Sequence, residues 1–193
     1  MLAAGFSTRM GKPKLLLPYK GKSLFRHVID ECQKSDVEGI IVVVNPNIKN
    51  LVKEARSIEG VSKIILNDQS DDGMSTSVKL GLHSLPETAQ SVIFLLGDQP
   101  LMSSTEINTI IKTHNRNQSF PIIQAKYQGV KGHPVLFKKE MFPHLLEIKG
   151  DEGGKSVLKK FEQHVYYSEM NRVQIPDVDT PYDYQLLIEG ETD

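Results

Sequence analysis

The segment Leu2–Lys14 reads LAAGFSTRMGKPK and has the composition of a phosphate-binding turn. Its small residues leave the backbone amides open to an anion, because little or no side chain stands in front of them. Arg9 offers a planar fork for bidentate phosphate contact, and Lys12 and Lys14 add compact positive charges. The pattern predicts a triphosphate site, although short Gly/Ala turns with basic neighbours are also common between a strand and a helix.

The spacing within this loop separates it from two well-known nucleotide-binding motifs. It matches neither the G-x-x-x-x-G-K-[ST] loop nor the G-x-G-x-x-G dinucleotide fingerprint. A dinucleotide-dependent oxidoreductase would also place an acidic residue after its second strand, where this chain has Asn45. We therefore rank that class of enzyme low.

Two aspartates are candidate metal ligands. Asp98 ends the apolar run VIFLLG, at the edge of the sheet where the phosphate loop is also expected. Mg²⁺ is commonly bound by one or two protein carboxylates together with substrate phosphates and water, so Asp98 could anchor it; an ordinary turn is the alternative. Asp179, in PDVDTP, is a second ligand if the fold returns it to Asp98, whereas helix capping by Asp179 or Thr180 is the simpler explanation.

Three further loops carry polar groups suited to binding. The segment Asp72–Ser77 (DGMSTS) opens a predicted helix with free N–H groups and hydroxyls, which could recognise a base or ribose or simply cap the helix. His133 precedes a short predicted strand, and GDEGGK, which contains Gly153 and Lys155, is a flexible loop before another helix. We interpret these last two loops as acceptor-binding, with a surface or packing role equally open for His133.

Helical and strand patterns alternate along the chain, which predicts one α/β domain over residues 1–193. The strands are expected at residues 39–44, 63–66, 92–96, 121–127 and 135–137. Helices are expected at residues 23–34, 48–58, 75–85 and 103–111, the last opened by a capping box of Ser103 and Glu106. This order predicts a doubly wound, mostly parallel sheet with helices on both faces. Because only Met1–Ala4 precede the glycine of the loop, we expect the first strand to be truncated in this numbering.

Composition narrows the classes of protein. The 193 residues are 39% hydrophobic, enough for one core, and the 23 basic and 24 acidic residues give no general field for nucleic acid. The single cysteine, Cys32, lies on the apolar face of a predicted helix, which favours a core residue over a catalytic nucleophile. Neither a membrane span nor a signal peptide is evident. We expect a cytoplasmic protein that is a monomer and has no membrane partner.

Several segments in order resemble the molybdenum cofactor cytidylyltransferases, within the MobA-like nucleotidyltransferases, over nearly the whole chain. They are LAAGFSTRMGKPKLLLPYKGKSL, DDGMSTSVKLGL, LLGDQPL, KGHPVLF, GDEGGK and DVDTPYDY. The resemblance implies a Rossmann-like fold and transfer of CMP from CTP to molybdenum-loaded molybdopterin, with release of pyrophosphate. It also implies Mg²⁺ (or Mn²⁺) as cofactor and an apo-molybdoenzyme of the xanthine dehydrogenase type as the recipient of the product.

The same resemblance assigns roles to individual residues. It puts the nucleotide against the loop residues Leu2, Ala3, Ala4, Gly5 and Ser7, its phosphates against Arg9 and Lys14, and its nucleoside near Gly73, Ser75 and Ser77. It puts the metal on Asp98 and Asp179. The loop LAAG is more similar to the cytidylyl enzymes than to the guanylyl branch, which more often has LAGG. A guanylyltransferase and a non-catalytic molybdopterin carrier are the alternatives.

Overall fold

The computed structural model describes residues 1–174 and 176–190. Its strands are β1 (Leu2–Ala3), β2 (Pro18–Tyr19), β3 (Lys22–Ser23), β4 (Ile41–Val44), β5 (Lys63–Leu66), β6 (Ser91–Phe94), β7 (Ile122–Tyr127), β8 (Val130–Lys138) and β9 (Val165–Met170). Its α-helices are α1 (Leu24–Gln33), α2 (Lys49–Ser57), α3 (Met74–His83), α4 (Ser104–Arg116), α5 (Phe142–Leu146), α6 (Lys155–Lys160) and α7 (Pro181–Glu189).

The main sheet has the strand order β5-β4-β1-β6-β8-β7-β9, and β2 and β3 form a separate hairpin. Strands β1, β4 and β5 are parallel, and β1 continues to β6 through a parallel bridge between Leu2 and Leu96. Strand β8 runs antiparallel to β6 and β7, whereas β7 and β9 are parallel. The carboxyl ends of β1, β4, β5 and β6 therefore share one edge, and the loops that follow them meet there.

Helices cover both faces of the sheet, as the alternating pattern predicts. In β8, Leu136 belongs to an apolar cluster with residues of α1, α2 and α4, whereas Val135 and Phe137 belong to a second cluster with residues of α3, α5 and α6. Successive side chains of a strand point to opposite faces, so the two clusters lie on opposite sides of the sheet. The doubly wound α/β architecture is confirmed.

A smaller apolar cluster joins the phosphate loop to the C-terminal segment. Its buried members are Met10, Leu17, Tyr19, Leu24, Val178 and Leu187. Val178 is 1% exposed and stands between two aspartates, so its burial holds that segment beside the loop. Among residues 1–174 and 176–190, no helix is both long and apolar enough to cross a bilayer.

Most element boundaries agree with the sequence pattern within a few residues, and two differences are informative. Helix α4 has the expected capping box but continues to Arg116 rather than ending near Ile111. Strand β8 is much longer than the predicted 135–137, because it forms a hairpin with β7 across Gln128 and Gly129, which have φ angles of 49° and 91°. Backbone with positive φ at both positions is typical of tight hairpin turns.

Candidate functional site

The phosphate loop leaves the sheet at the end of β1 and turns sharply. Ser7 has a φ of 57°, and its carbonyl accepts hydrogen bonds from the amides of Met10 (3.0 Å) and Gly11 (3.1 Å). The Ser7 hydroxyl accepts a third from the amide of Lys14 at 3.1 Å. A side chain at Gly5 would meet no atom within 4 Å, so the face of the loop at Gly5 is open. The loop thus has the open backbone surface that an anion needs.

The side chain of Lys14 links two carboxylates from distant parts of the chain. Its Nζ lies 2.5 Å from Oδ2 of Asp98 and 2.6 Å from Oδ1 of Asp179. Arg9 approaches the other oxygen of Asp179, with 2.7 Å between Nη2 and Oδ2. The structure therefore brings together four of the five charged residues that the sequence singles out for phosphate and metal binding, all except Lys12.

The charge on Lys14 is well supported by its surroundings. Lys14 is 9% exposed, and burial alone would lower the pKa of its ammonium group. The charges of Asp98 and Asp179 and their hydrogen bonds outweigh that penalty, so the pKa of Lys14 is raised. Lys14 therefore remains a cation at neutral pH, whereas the side chain of Arg9, 68% exposed, is open to solvent and to a ligand.

Two segments of the backbone hold the carboxylates in place. Asp98 lies in the loop after β6, and its carbonyl accepts a hydrogen bond from the amide of Val178 at 3.0 Å. Thr180 is the N-cap of α7 and forms a capping box with Asp183, which also accepts from the amide of Asp179. The cap of this helix is thus Thr180, and the carboxylate of Asp179 is left to face Arg9 and Lys14.

Asp98 and Asp179 fit a divalent cation of the hard, oxygen-binding kind. Both carboxylates contact the ammonium group of Lys14. Oδ1 of Asp98 is buried without a hydrogen-bond partner among the described residues. A spare carboxylate oxygen is the kind of ligand that Mg²⁺ and Mn²⁺ use. Within the described ranges no three His, Cys, Asp or Glu side chains form a cage, so substrate oxygens and water would complete the coordination.

Asp177 and His133 lie close to Asp98. Burial and the negative charge of Asp98 raise the pKa of Asp177, against a hydrogen bond from Gln99. Burial lowers the pKa of His133, whose Nδ1 is 3.3 Å from the carbonyl oxygen of Phe94. His133 is therefore neutral at pH 7, and its imidazole is partly fixed by the backbone of β6. The sequence signal for both residues is their place beside a predicted metal ligand: Gln99 follows Asp98 in GDQP, and Asp177 stands two positions before Asp179 in DVD.

The start of α3 is tied internally rather than open. Ser75 and Ser77 are 3% and 5% exposed, and Nδ2 of Asn67 donates to the hydroxyls of Thr76 (2.9 Å) and Ser77 (2.8 Å). Asn67 is itself fully buried at the end of β5. The hydroxyl of Ser77 therefore helps to fix this loop, and nucleoside contact by Ser75 or Ser77 stays a prediction. Sequence reasoning missed Asn67, whose signal is a polar residue directly after the apolar strand KIIL.

The GDEGGK loop packs on the start of α3. Asp151 accepts a hydrogen bond from the amide of Met74 at 3.2 Å, and a side chain at Gly153 would lie 2.7 Å from Sδ of Met74. Gly73 faces the backbone of Gly150 so closely that a Cβ there would overlap it. The structure thus brings together the predicted nucleoside loop and the predicted acceptor loop, while Lys155 begins α6.

We expect Gly73→Ala to separate these two loops. Its φ is 95°, so the variant would carry backbone strain as well as the overlap with Gly150. Stability should fall by about 1–3 kcal/mol, measured by urea unfolding. Gly129→Ala is the matched control, since its φ is 91° and nothing lies within 4 Å of its Cβ. Equal losses in both variants would mean that contact between the loops contributes nothing.

Comparison with known proteins agrees with this geometry. The family model described as MobA-like NTP transferase domain matches residues 1–165. Purine catabolism protein PucB of Bacillus subtilis is 26% identical over 194 residues, covering 96% of this chain and 93% of PucB. Nicotine blue oxidoreductase of Paenarthrobacter nicotinovorans is 25% identical over 169 residues, covering 83% of this chain and 80% of that protein.

A solved structure shares the fold throughout. The crystal structure of Rv0371c from Mycobacterium tuberculosis has a TM-score of 0.85 and 26% identity, and the match covers 97% of this chain and 95% of Rv0371c. The structure of Rv0371c in complex with manganese has a TM-score of 0.80 and 25% identity over 97% and 95% of the two chains. The chain therefore belongs to the MobA-like NTP transferase family and has its Rossmann-like α/β fold.

Proposed function

We propose that this protein transfers CMP from CTP to the terminal phosphate of molybdenum-loaded molybdopterin and releases pyrophosphate. The observation that carries the proposal is the ammonium of Lys14, which is held between Asp98 and Asp179 at the end of an open phosphate loop. Such a group of charges suits a reaction in which anions must be brought together. We further propose that the product is passed to an apo-enzyme of the xanthine dehydrogenase type.

The chemistry explains why these residue types are needed. An oxygen of the acceptor phosphate attacks the α-phosphorus of CTP, a new P–O bond forms, and the bond to the β-phosphate oxygen breaks. Both reactants are anions and the leaving pyrophosphate gains charge, so neutralisation and alignment provide most of the catalysis. Because the attacking phosphate is already ionised, no general base is required.

Each charged residue has a place in this scheme. Arg9, with its exposed guanidinium, would bind phosphate oxygens in bidentate fashion, and Lys14 would neutralise charge closer to the carboxylates. Asp98 and Asp179 would hold Mg²⁺, which supplies positive charge to the phosphates when bound. The backbone of Leu2–Gly5 and the turn at Ser7 would lie against the nucleotide, with Gly73–Ser77 on its nucleoside side.

The relatives support parts of this proposal. The name of PucB places that protein in purine catabolism, where a xanthine dehydrogenase would act, and Rv0371c has been crystallised with manganese. CTP is favoured over GTP by the LAAG form of the loop. Nicotine blue oxidoreductase is named for redox chemistry, but a pair of carboxylates around an ammonium suits phosphoryl transfer better than a hydride carrier.

The test uses CTP or GTP labelled at the α-phosphate, with Mg²⁺ and molybdenum-loaded molybdopterin. We expect label from CTP to appear on the acceptor, with one pyrophosphate released for each transfer. Transfer from GTP alone would place the chain in the guanylyl branch. Tight binding of molybdopterin without transfer from either CTP or GTP would indicate a carrier rather than an enzyme. Oxidation of NADPH that needs neither CTP nor GTP would favour a redox role.

A further inference from the structure

Gln99 and Asp177 form a partly buried contact next to the proposed metal ligands. Gln99 is 4% exposed, and its Nε2 donates a hydrogen bond of 2.6 Å to Oδ1 of Asp177. Gln99 directly follows Asp98, and Asp177 stands two positions before Asp179 in the chain. This contact therefore ties together the two backbone segments that carry the carboxylates on Lys14.

The amide of Gln99 is only partly satisfied. Its Oε1 is buried and has no hydrogen-bond partner among the described residues. A buried acceptor without a partner costs stability, so an apolar side chain of similar length would suit the packing better. The hydrogen bond from Nε2 to Asp177 gives a reason for an amide at this position, because it joins two segments that are far apart in the sequence.

The bond to Asp177 also complements the other anchors of this segment. The amide of Val178 donates to the carbonyl of Asp98, and the side chain of Val178 is buried in the cluster around Met10. These contacts fix the backbone at Val178, and the capping box of Thr180 with Asp183 holds the segment after Asp179. The side-chain bond at Asp177 adds an anchor before Val178, so the backbone that carries Asp179 is held from both sides.

We infer that Gln99 is a positioning residue that, through Asp177, holds Asp179 at the distance from Asp98 at which both carboxylates share one cation. The inference rests on the proposed function, since it concerns the same metal site. Neither Gln99 nor Asp177 needs to touch the metal. Loss of a residue that orients metal ligands typically weakens metal binding by about 10–100-fold.

The test measures Mn²⁺ binding in the presence of CTP by the loss of the free-Mn²⁺ electron paramagnetic resonance signal beyond the loss that the same CTP causes without protein. We expect Gln99→Met, which keeps the length and removes the donor, to bind Mn²⁺ about tenfold more weakly or worse. Wild-type affinity in this variant would overturn the inference. Pyrophosphate release should fall in parallel at low Mn²⁺ and recover partly when Mn²⁺ is raised.

Two variants of Asp177 separate positioning from direct ligation. Asp177→Asn still accepts from Gln99 and can also donate to its unpartnered Oε1, so Mn²⁺ affinity should be retained. Asp177→Leu removes the bond and should weaken binding as Gln99→Met does, with no further loss in the double variant. Equal weakening in Asp177→Asn and Asp177→Leu would mean that Asp177 acts through its charge, and the positioning role would be wrong.

Thermal unfolding of each variant shows whether it is folded. If Gln99→Met does not fold, the comparison of Asp177→Asn with Asp177→Leu tests the inference instead.

The failure of this inference differs from the failure of the proposed function. In the first case the wild type binds Mn²⁺ and releases pyrophosphate, and so does Gln99→Met, without loss. In the second the wild type releases no pyrophosphate from CTP with molybdopterin as acceptor, whatever its affinity for Mn²⁺.

Discussion

Asp98→Asn is expected to lower kcat for pyrophosphate release by at least about 10²–10³-fold, the usual cost of removing one preorganised charge-stabilising group. The amide keeps the shape of the side chain but removes half of the negative charge that Lys14 now balances. It also replaces a carboxylate with a much weaker ligand for Mg²⁺. The measurement is steady-state pyrophosphate release at saturating CTP and acceptor.

Asp30→Asn provides the matched control for Asp98→Asn. Asp30 also pairs with two cations, since its carboxylate lies 2.5 Å from Lys22 and 2.6 Å from Arg26, but it belongs to α1 and not to the charged cluster. The kcat of the Asp30→Asn variant should stay close to that of the wild type. Comparable activity in Asp98→Asn and Asp30→Asn would remove Asp98 from the reaction.

Lys14→Met is expected to lower both turnover and stability. Turnover should fall about 10²–10³-fold, because an ammonium that neutralises phosphate charge is lost. Asp98 and Asp179 would also lose the cation they share while remaining mostly buried, with side chains 17% and 27% exposed. We expect that to cost about 1–3 kcal/mol of unfolding free energy, measured by urea unfolding without nucleotide.

Arg9→Met and Lys22→Met separate the two effects of Lys14. The exposed Arg9 should affect turnover with little change in stability, because a solvent-exposed ion pair contributes little to folding. Lys22, which pairs with Asp30 and is half exposed, should affect neither quantity appreciably. A Lys14→Met variant as stable as the wild type would show that the carboxylates tolerate each other without a shared cation.

The sequence predicts the architecture of this protein well, because its elements carry strong local signals. The continuous apolar run IVVV becomes a buried parallel strand, KIIL becomes the parallel strand at the edge of the sheet, and the capping box at Ser103 marks the start of α4. The hairpin of β7 and β8 was harder to foresee. Its pairing depends on a Gln-Gly turn and on neighbours in the sheet rather than on the periodicity of Val130–Lys138.

In the candidate site, too, some residues are predicted by the sequence and others are placed by tertiary packing. The sequence predicts that Arg9, Lys14 and Asp98 lie at one edge of the sheet, because the loops after parallel strands meet there, and this rule needs no knowledge of side-chain contacts. The return of Asp179 to that edge is decided by tertiary packing, in which Val178 is buried against the phosphate loop. The pairing of Gln99 with Asp177 joins residues 78 positions apart and has no local pattern that would predict it.

A crystal structure with Mn²⁺ and a CTP analogue that resists cleavage would test the central claim most directly. The anomalous signal of manganese identifies the metal without reference to activity. We expect one peak bonded to both Asp98 and Asp179, with the phosphates of the analogue against the loop that carries Arg9. A bound analogue with manganese elsewhere, and Lys14 still shared by the two carboxylates, would contradict it.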